Sequence, residues 1–155
     1  MKKAMMIAAT LSLAVSAATL TGDKAEVISS GEVQTQLAQL APQAKVNGSS
    51  GSTLASYGNL ALKLSVRTAS GGAEIHAHLD DLMIVEQGSA TLVSGGKVID
   101  AKTDSEGETK GTSIQGGRSR TIAPGDVIIV PAGVPHQLLI SPGTLYSALV
   151  AKIKE

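Results

Sequence analysis

The sequence predicts an all-β, single-domain protein with a short N-terminal helix, and three observations lead there. Leu60, Leu62, Leu64 and Val66 alternate with Ala61, Lys63, Ser65 and Arg67, the period of a half-buried β-strand, and further short strand-like stretches follow. Gly- and Pro-rich turns separate them every eight to twelve residues, the rhythm of a β-sandwich or barrel. At 155 residues the chain has the length of one domain with an extension, enough to bury its own core.

The elements follow in order, dividing the chain into residues 1–18, 19–58 and 59–155. The first is read as a cleavable signal peptide: Lys2 and Lys3 precede an uncharged stretch from Ala4 to Thr21, with small residues around Val15–Ala18 where a signal peptidase would cut. That implies export, to the periplasm or outside the cell, with no membrane anchor after cleavage. Ser29 and Glu32 form a capping box at the start of a helix whose face carries Val33, Leu37 and Leu40 and which Pro42 is expected to stop. Asn47 to Ser52 is expected to be a flexible linker. The barrel domain then begins with the alternating strand Leu60–Arg67. Strands are expected at 73–85, 90–93 and 97–101, with Gly95-Gly96 as a hairpin turn. Lys102 to Gly111 reads as an exposed loop, and Ser113-Ile114 with Arg118–Ile122 as a further hairpin. Val127–Val130 is expected to be fully buried, and strands at 138–140 and 145–153 complete the set.

Composition removes several function classes. Thirteen basic residues balance thirteen acidic ones, and after loss of Lys2 and Lys3 the net charge is only −2, so no basic field invites nucleic acid. Phe and Trp are absent and Tyr57 and Tyr146 are the only aromatic rings, which removes base-stacking platforms. With no cysteine, any bound metal must be held by nitrogen and oxygen.

The three histidines lie in two short segments. In Glu74-Ile75-His76-Ala77-His78-Leu79-Asp80-Asp81 a continuous strand would project Glu74, His76 and His78 from one face. His136 follows the turn Pro131-Ala132-Gly133-Val134-Pro135. Imidazoles with a carboxylate suit a divalent ion such as Fe, Mn, Zn, Ni or Cu.

These residues resemble the cupin superfamily. Its second motif runs Gly, five residues, Pro-x-Gly, two residues, His, three residues, Asn; the chain matches it from Gly125 through Pro131 and Gly133 to His136, departing only at Ile140. Its first motif runs Gly, five residues, His-x-His, three or four residues, Glu, six residues, Gly. His76, His78 and Gly88 fit, but Gly71 lies one residue too near His76, and Asp81, with the motif's six residues between it and Gly88, has only two between it and His78. The resemblance spans about Leu60 to Ile153 and implies a double-stranded β-helix, the jelly-roll barrel. It implies a divalent metal on His76, His78 and His136 with Asp81 as fourth ligand, Glu74 being the alternative and Asp80 a poorer one. Met83, Leu138 and Gln137 would border a small-molecule substrate, with Arg67, Lys63 and Tyr57 as further polar candidates. Two functions are then in view: a metal-dependent enzyme, either a dioxygenase-like oxidoreductase or an isomerase, and a non-catalytic metal or small-ligand binding module. A homodimer is expected, with Ile75, Ala77 and Leu79 as an apolar outer stripe.

Overall fold

The computed structural model describes residues 18–19 and 21–155, so the expected signal segment, apart from its last residue, lies outside the described residues. The described residues fold into two six-stranded sheets and a two-stranded ribbon. The first sheet contains β1 (Ala18–Thr19), β2 (Ser49–Tyr57), β3 (Leu60–Arg67), β5 (Leu79–Gln87), β12 (Val127–Val130) and β14 (Tyr146–Lys154), in the order β1-β2-β3-β14-β5-β12. The second contains β4 (Ala73–His76), β6 (Ala90–Ser94), β8 (Lys102–Thr103), β9 (Glu108–Gly111), β11 (Arg118–Ile122) and β13 (His136–Leu139), in the order β11-β6-β13-β4-β9-β8. The ribbon pairs β7 (Lys97–Ile99) with β10 (Ser113–Gln115). An aliphatic core lies between the sheets, built from Met83, Val85, Leu92, Ile122, Ile128, Val130, Ala148 and Val150 around the fully buried Tyr146. The all-β jelly-roll with one helix is as the sequence predicts.

Helix α1 (Ser30–Asn47) starts on the expected capping box, with Glu32 N–H donating to Ser29 Oγ and Ser29 N–H donating to the Glu32 carboxylate. Pro42 does not end it. Proline in a helix interior removes one backbone bond, but Val33 and Leu37 before it and Ala44 after it are all buried against Leu54, Leu64 and Val66. Packing on both sides carries the helix through to Gly48, which caps it in the left-handed conformation. The expected linker at 47–52 is likewise absent: Ser49 begins β2, which pairs along β3.

This docking decides which way β3 faces. Leu64 and Val66 point outward onto the helix, so the alternate residues Lys63, Ser65 and Arg67 face the space between the sheets. Period-two alternation is present as expected, with the polar side turned inward.

Residues 102–111 are not a loop but the hairpin β8–β9. Asp104 Oδ1 accepts the N–H groups of Glu106 and Glu108, and Gly107 completes the turn at φ +85°, where a Cβ would lie 2.6 Å from that of Ala77. β10 and β11 do not pair with each other; β10 joins β7 and β11 joins β6. β12 is not fully buried: it is an edge strand covered on its inner face alone, so Val127 and Ile129 are 61% and 68% exposed while Ile128 and Val130 are buried. Ile75, Ala77 and Leu79 are half-buried and do not form a continuous outer stripe.

Candidate metal centre

Sheet pairing gathers the site from residues far apart in sequence. β13 runs antiparallel to β4 with His136 directly opposite Glu74, so the two side chains project from the same face. His76, two residues along, shares that face, and its ring centroid lies 5.1 Å from that of His136. The preceding turn is pinned to the same point, because Gly133 N–H donates to the His76 carbonyl at 2.8 Å. Glu74, His76 and His136 thus each offer a donor atom within 4.8 Å of the other two.

The outer edges of both imidazoles are already committed. His76 Nδ1 is hydrogen-bonded to the carboxylate of Glu108, its cross-strand neighbour on β9, and that carboxylate can only accept. His136 Nδ1–H donates to the Val134 carbonyl at 3.1 Å. Each ring therefore carries its proton on Nδ1 when neutral and turns Nε2 toward the interior, the tautomer a metal-ligating histidine adopts.

The facing sheet supplies Asp81 and Lys152, directly opposed on β5 and β14. Asp81 is 4% exposed, and its Oδ2 lies 3.5 Å from His76 Nε2 and 3.9 Å from His136 Nε2. Lys152 Nζ donates to both Asp81 oxygens at 2.7 and 2.9 Å and stands 3.0 Å from His76 Nε2. Burial pushes the Asp81 carboxyl up, but the hydrogen bonds and positive charge of His76 and Lys152 together hold it below its ordinary value. Asp81, and secondarily Glu108, raise His76 above the ordinary imidazole range against burial and the Lys152 charge. His136 goes the other way: burial lowers it and favours the neutral ligand form.

The structure brings Glu74, His76 and His136 together, sets Asp81 against both imidazoles, and leaves His78 outside. β4 ends at His76, so Ala77 and His78 form a bend and the His78 ring is exposed. The alternation that would have turned His78 inward needed an unbroken strand. The spacing carries a signal for this arrangement: four residues separate His76 from Asp81, and six separate Asp81 from Gly88, as in the family's first motif. In that register Glu74 occupies the place of the first imidazole. Gly88 is fixed there by its φ of +70° and by the Leu145 carbonyl, which a Cβ would approach to 2.2 Å. Sequence reasoning missed Glu108 and Lys152; the Asp104–Gly107 turn points to the first, and the shared parity of Ala148, Val150 and Lys152 to the second.

A cavity of about 480 Å³ opens beside the cluster, bordered by Glu74, Asp81, His136 and Lys152 at one end and by Met83, Leu138 and Val150 along an apolar wall. Lys63 and Arg67 line it as well. Gln137 reaches it too, but its amide already donates to the carbonyls of Gly71 and Thr112, a bracing role. Tyr57 is absent from the lining and 49% exposed. Two imidazoles and two carboxylates without sulfur suit the expected divalent ions, and two of the four, His76 and Asp81, already hold a cation, the Lys152 ammonium. The donor set fits a metal.

No family model matches the chain, and no curated protein matches it. Solved structures do. The polyketide cyclase RemF from Streptomyces resistomycificus aligns with a TM-score of 0.51 and 21% identity over 70% of this chain and 66% of that one. The DMSP lyase DddQ from Ruegeria pomeroyi DSS-3 aligns at 0.51 and 18% identity, over 71% and 49%. A predicted oxalate decarboxylase from Thermotoga maritima aligns at 0.51 and 14% identity, over 69% and 81%. The chain thus spans about two thirds of the first and half of the second. These are cupin-fold proteins, and the chain shares their fold.

Proposed function

We propose that this cupin-fold chain is an exported metal-binding protein whose ion, held by His76, His136, Asp81 and Glu74, serves an enzymatic reaction on a small anionic molecule. The observation that carries this reading is the hydrogen bonding of the two imidazoles: Glu108 and the Val134 carbonyl take both Nδ1 atoms, so both Nε2 atoms turn to the interior beside Asp81. A divalent ion there would supply Lewis-acid polarisation or redox chemistry with O₂, as an isomerase or a dioxygenase-like oxidoreductase requires.

The chain's own residues do the rest. Lys63 and Arg67, inward on β3, offer the cavity positive charge, and the Arg67 Nε is buried without a hydrogen-bond partner. A carboxylate on the substrate would pair with the charge that these two side chains bring to the cavity. Met83, Leu138 and Val150 exclude water from the wall beside the ligands and favour an apolar body on the same molecule. Glu108 holds the His76 ring in orientation from outside the cavity.

Metal content of purified protein is the first test, with His76→Ala and His136→Ala losing the ion and His78→Ala keeping it. Retention of the ion in both of the first two variants would end the metal reading. Oxygen uptake and product analysis with Fe(II) and a panel of small carboxylic acids and diketones then examine turnover. One observation favours a non-catalytic binding module instead. Among the described residues, every titratable side chain bordering the cavity, namely Lys63, Arg67, Glu74, Asp81, His136 and Lys152, is a candidate ligand or a cation, which leaves no uncommitted carboxylate or imidazole there as general base. Absence of turnover by a metal-loaded protein across that panel would favour the module. The mass of the mature protein recovered outside the cytoplasm tests export.

A further inference from the structure

Lys152 lies in the position that the proposed ion would need. Its ammonium is within 3.0 Å of three donor atoms, both oxygens of Asp81 and Nε2 of His76. The geometry follows from the backbone: Lys152 is the direct cross-strand partner of Asp81, so the two side chains must share the inward face. Ala148 and Val150, of the same parity, are buried core residues, and Lys152 continues their row toward the metal cluster. A carboxylate only 4% exposed needs a compensating cation, and Lys152 provides one.

Metal–ligand bonds to imidazole and carboxylate are about 2.0–2.2 Å long. An ion bound to Asp81 and His76 would therefore lie almost on the nitrogen that now contacts them, and two cations do not share such a point. The lysine stem is flexible, its side chain is 21% exposed, and it borders the open cavity, so it has somewhere to go.

We propose that Lys152 is a tethered competitor for the metal position: its ammonium and the divalent ion occupy the space between Asp81 and His76 alternately, and the ion binds only as Lys152 moves out into the cavity. This rests on the metal reading above and adds that the chain's own cation sets the affinity. Once displaced, Lys152 joins Lys63 and Arg67 among the cavity's cations, so the ion-loaded state is also the one better charged to receive an anionic substrate.

The test is calorimetric titration of wild type and Lys152→Met with Mn²⁺ and with Zn²⁺. Methionine keeps the unbranched stem and removes the charge. Binding at least tenfold tighter in the variant is the expected result. Equal or weaker binding by a folded variant, with wild type binding, overturns the competitor while leaving the metal site standing. No binding by either folded protein overturns both. Should Lys152→Met fail to fold, wild type supplies the answer through acetylation of Lys152 by acetic anhydride, read by peptide mass spectrometry. Saturating Zn²⁺ should raise labelling of Lys152 severalfold relative to Lys63, whereas unchanged or reduced labelling sinks the proposal.

Discussion

Glu108 contributes to metal binding without touching the ion, and Glu108→Ala isolates that contribution. Its carboxylate fixes the His76 proton on Nδ1 and the ring plane with it. Partners of this kind are worth about 10- to 100-fold in metal affinity, or roughly 1.4–2.8 kcal/mol. The Glu108 side chain is 25% exposed, so water can replace part of what it does, and the lower end applies. The expected loss is about tenfold in affinity for Zn²⁺ or Mn²⁺. Glu108→Gln keeps an oxygen acceptor but loses the charge, and should fall between wild type and alanine. Calorimetric titration measures the affinities, and ¹⁵N shifts of the His76 ring report its tautomer. Unchanged affinity in Glu108→Ala, with the Nδ1–H tautomer still dominant, would refute the claim that Glu108 organises the site.

Three further outcomes follow from burial and charge. Because Asp81 raises His76 above its ordinary value of 6.5, protons compete for Nε2 at higher pH than for a free imidazole; metal affinity should begin to fall while the pH is still above 6.5, which titrations at stepped pH measure. The Tyr146 hydroxyl is buried without a partner, and burial pushes its pKa from 10.0 up to about 12. The unfolded phenol ionises first, so stability should be lost as pH rises from 10 toward 12, by about 2.7 kcal/mol at the limit. Tyr146→Phe should remove this dependence at little cost near pH 7, as read by urea unfolding at both pH values. Leu37→Ala should destabilise the protein by about 2–3 kcal/mol, because Leu37 is 5% exposed against the outer face of β3. A change below 0.5 kcal/mol would mean that α1 is not docked.

The barrel was legible because turns and alternation are local. Gly88, Gly125 and Gly133 mark places where the backbone takes positive φ, and the strands between them are written in aliphatic residues. Facing was not local. Alternation along Leu60–Arg67 states that one side differs from the other, but only the docking of α1 settles that the apolar side is covered from outside and the cationic side lines the cavity. The end of β4 was hidden for the same reason. Ala77 and His78 read as strand, yet Ala77 N–H is taken by the Gly107 carbonyl and the His76 carbonyl by Gly133 N–H, both from distant turns. The polar hairpin that brings Glu108 has strands of two and four residues, too short for a periodic signal.

The register of the first motif connects these points. With four residues between His76 and Asp81, the residue two before His76 is Glu74, so a carboxylate stands where the cupin motif that this stretch resembles has an imidazole. That exchange adds a negative charge to the cluster without adding a positive one. Two imidazoles, Glu74 and Asp81 then carry two negative charges when both rings are neutral, and such a cluster, with Asp81 buried, is unfavourable without a cation. Lys152, facing inward beside Asp81, neutralises one of the two charges, whereas a divalent ion neutralises both. The charge left over with lysine in place is what lets an ion compete for the same position, so the departure at Glu74 and the cation at Lys152 are two parts of one electrostatic arrangement.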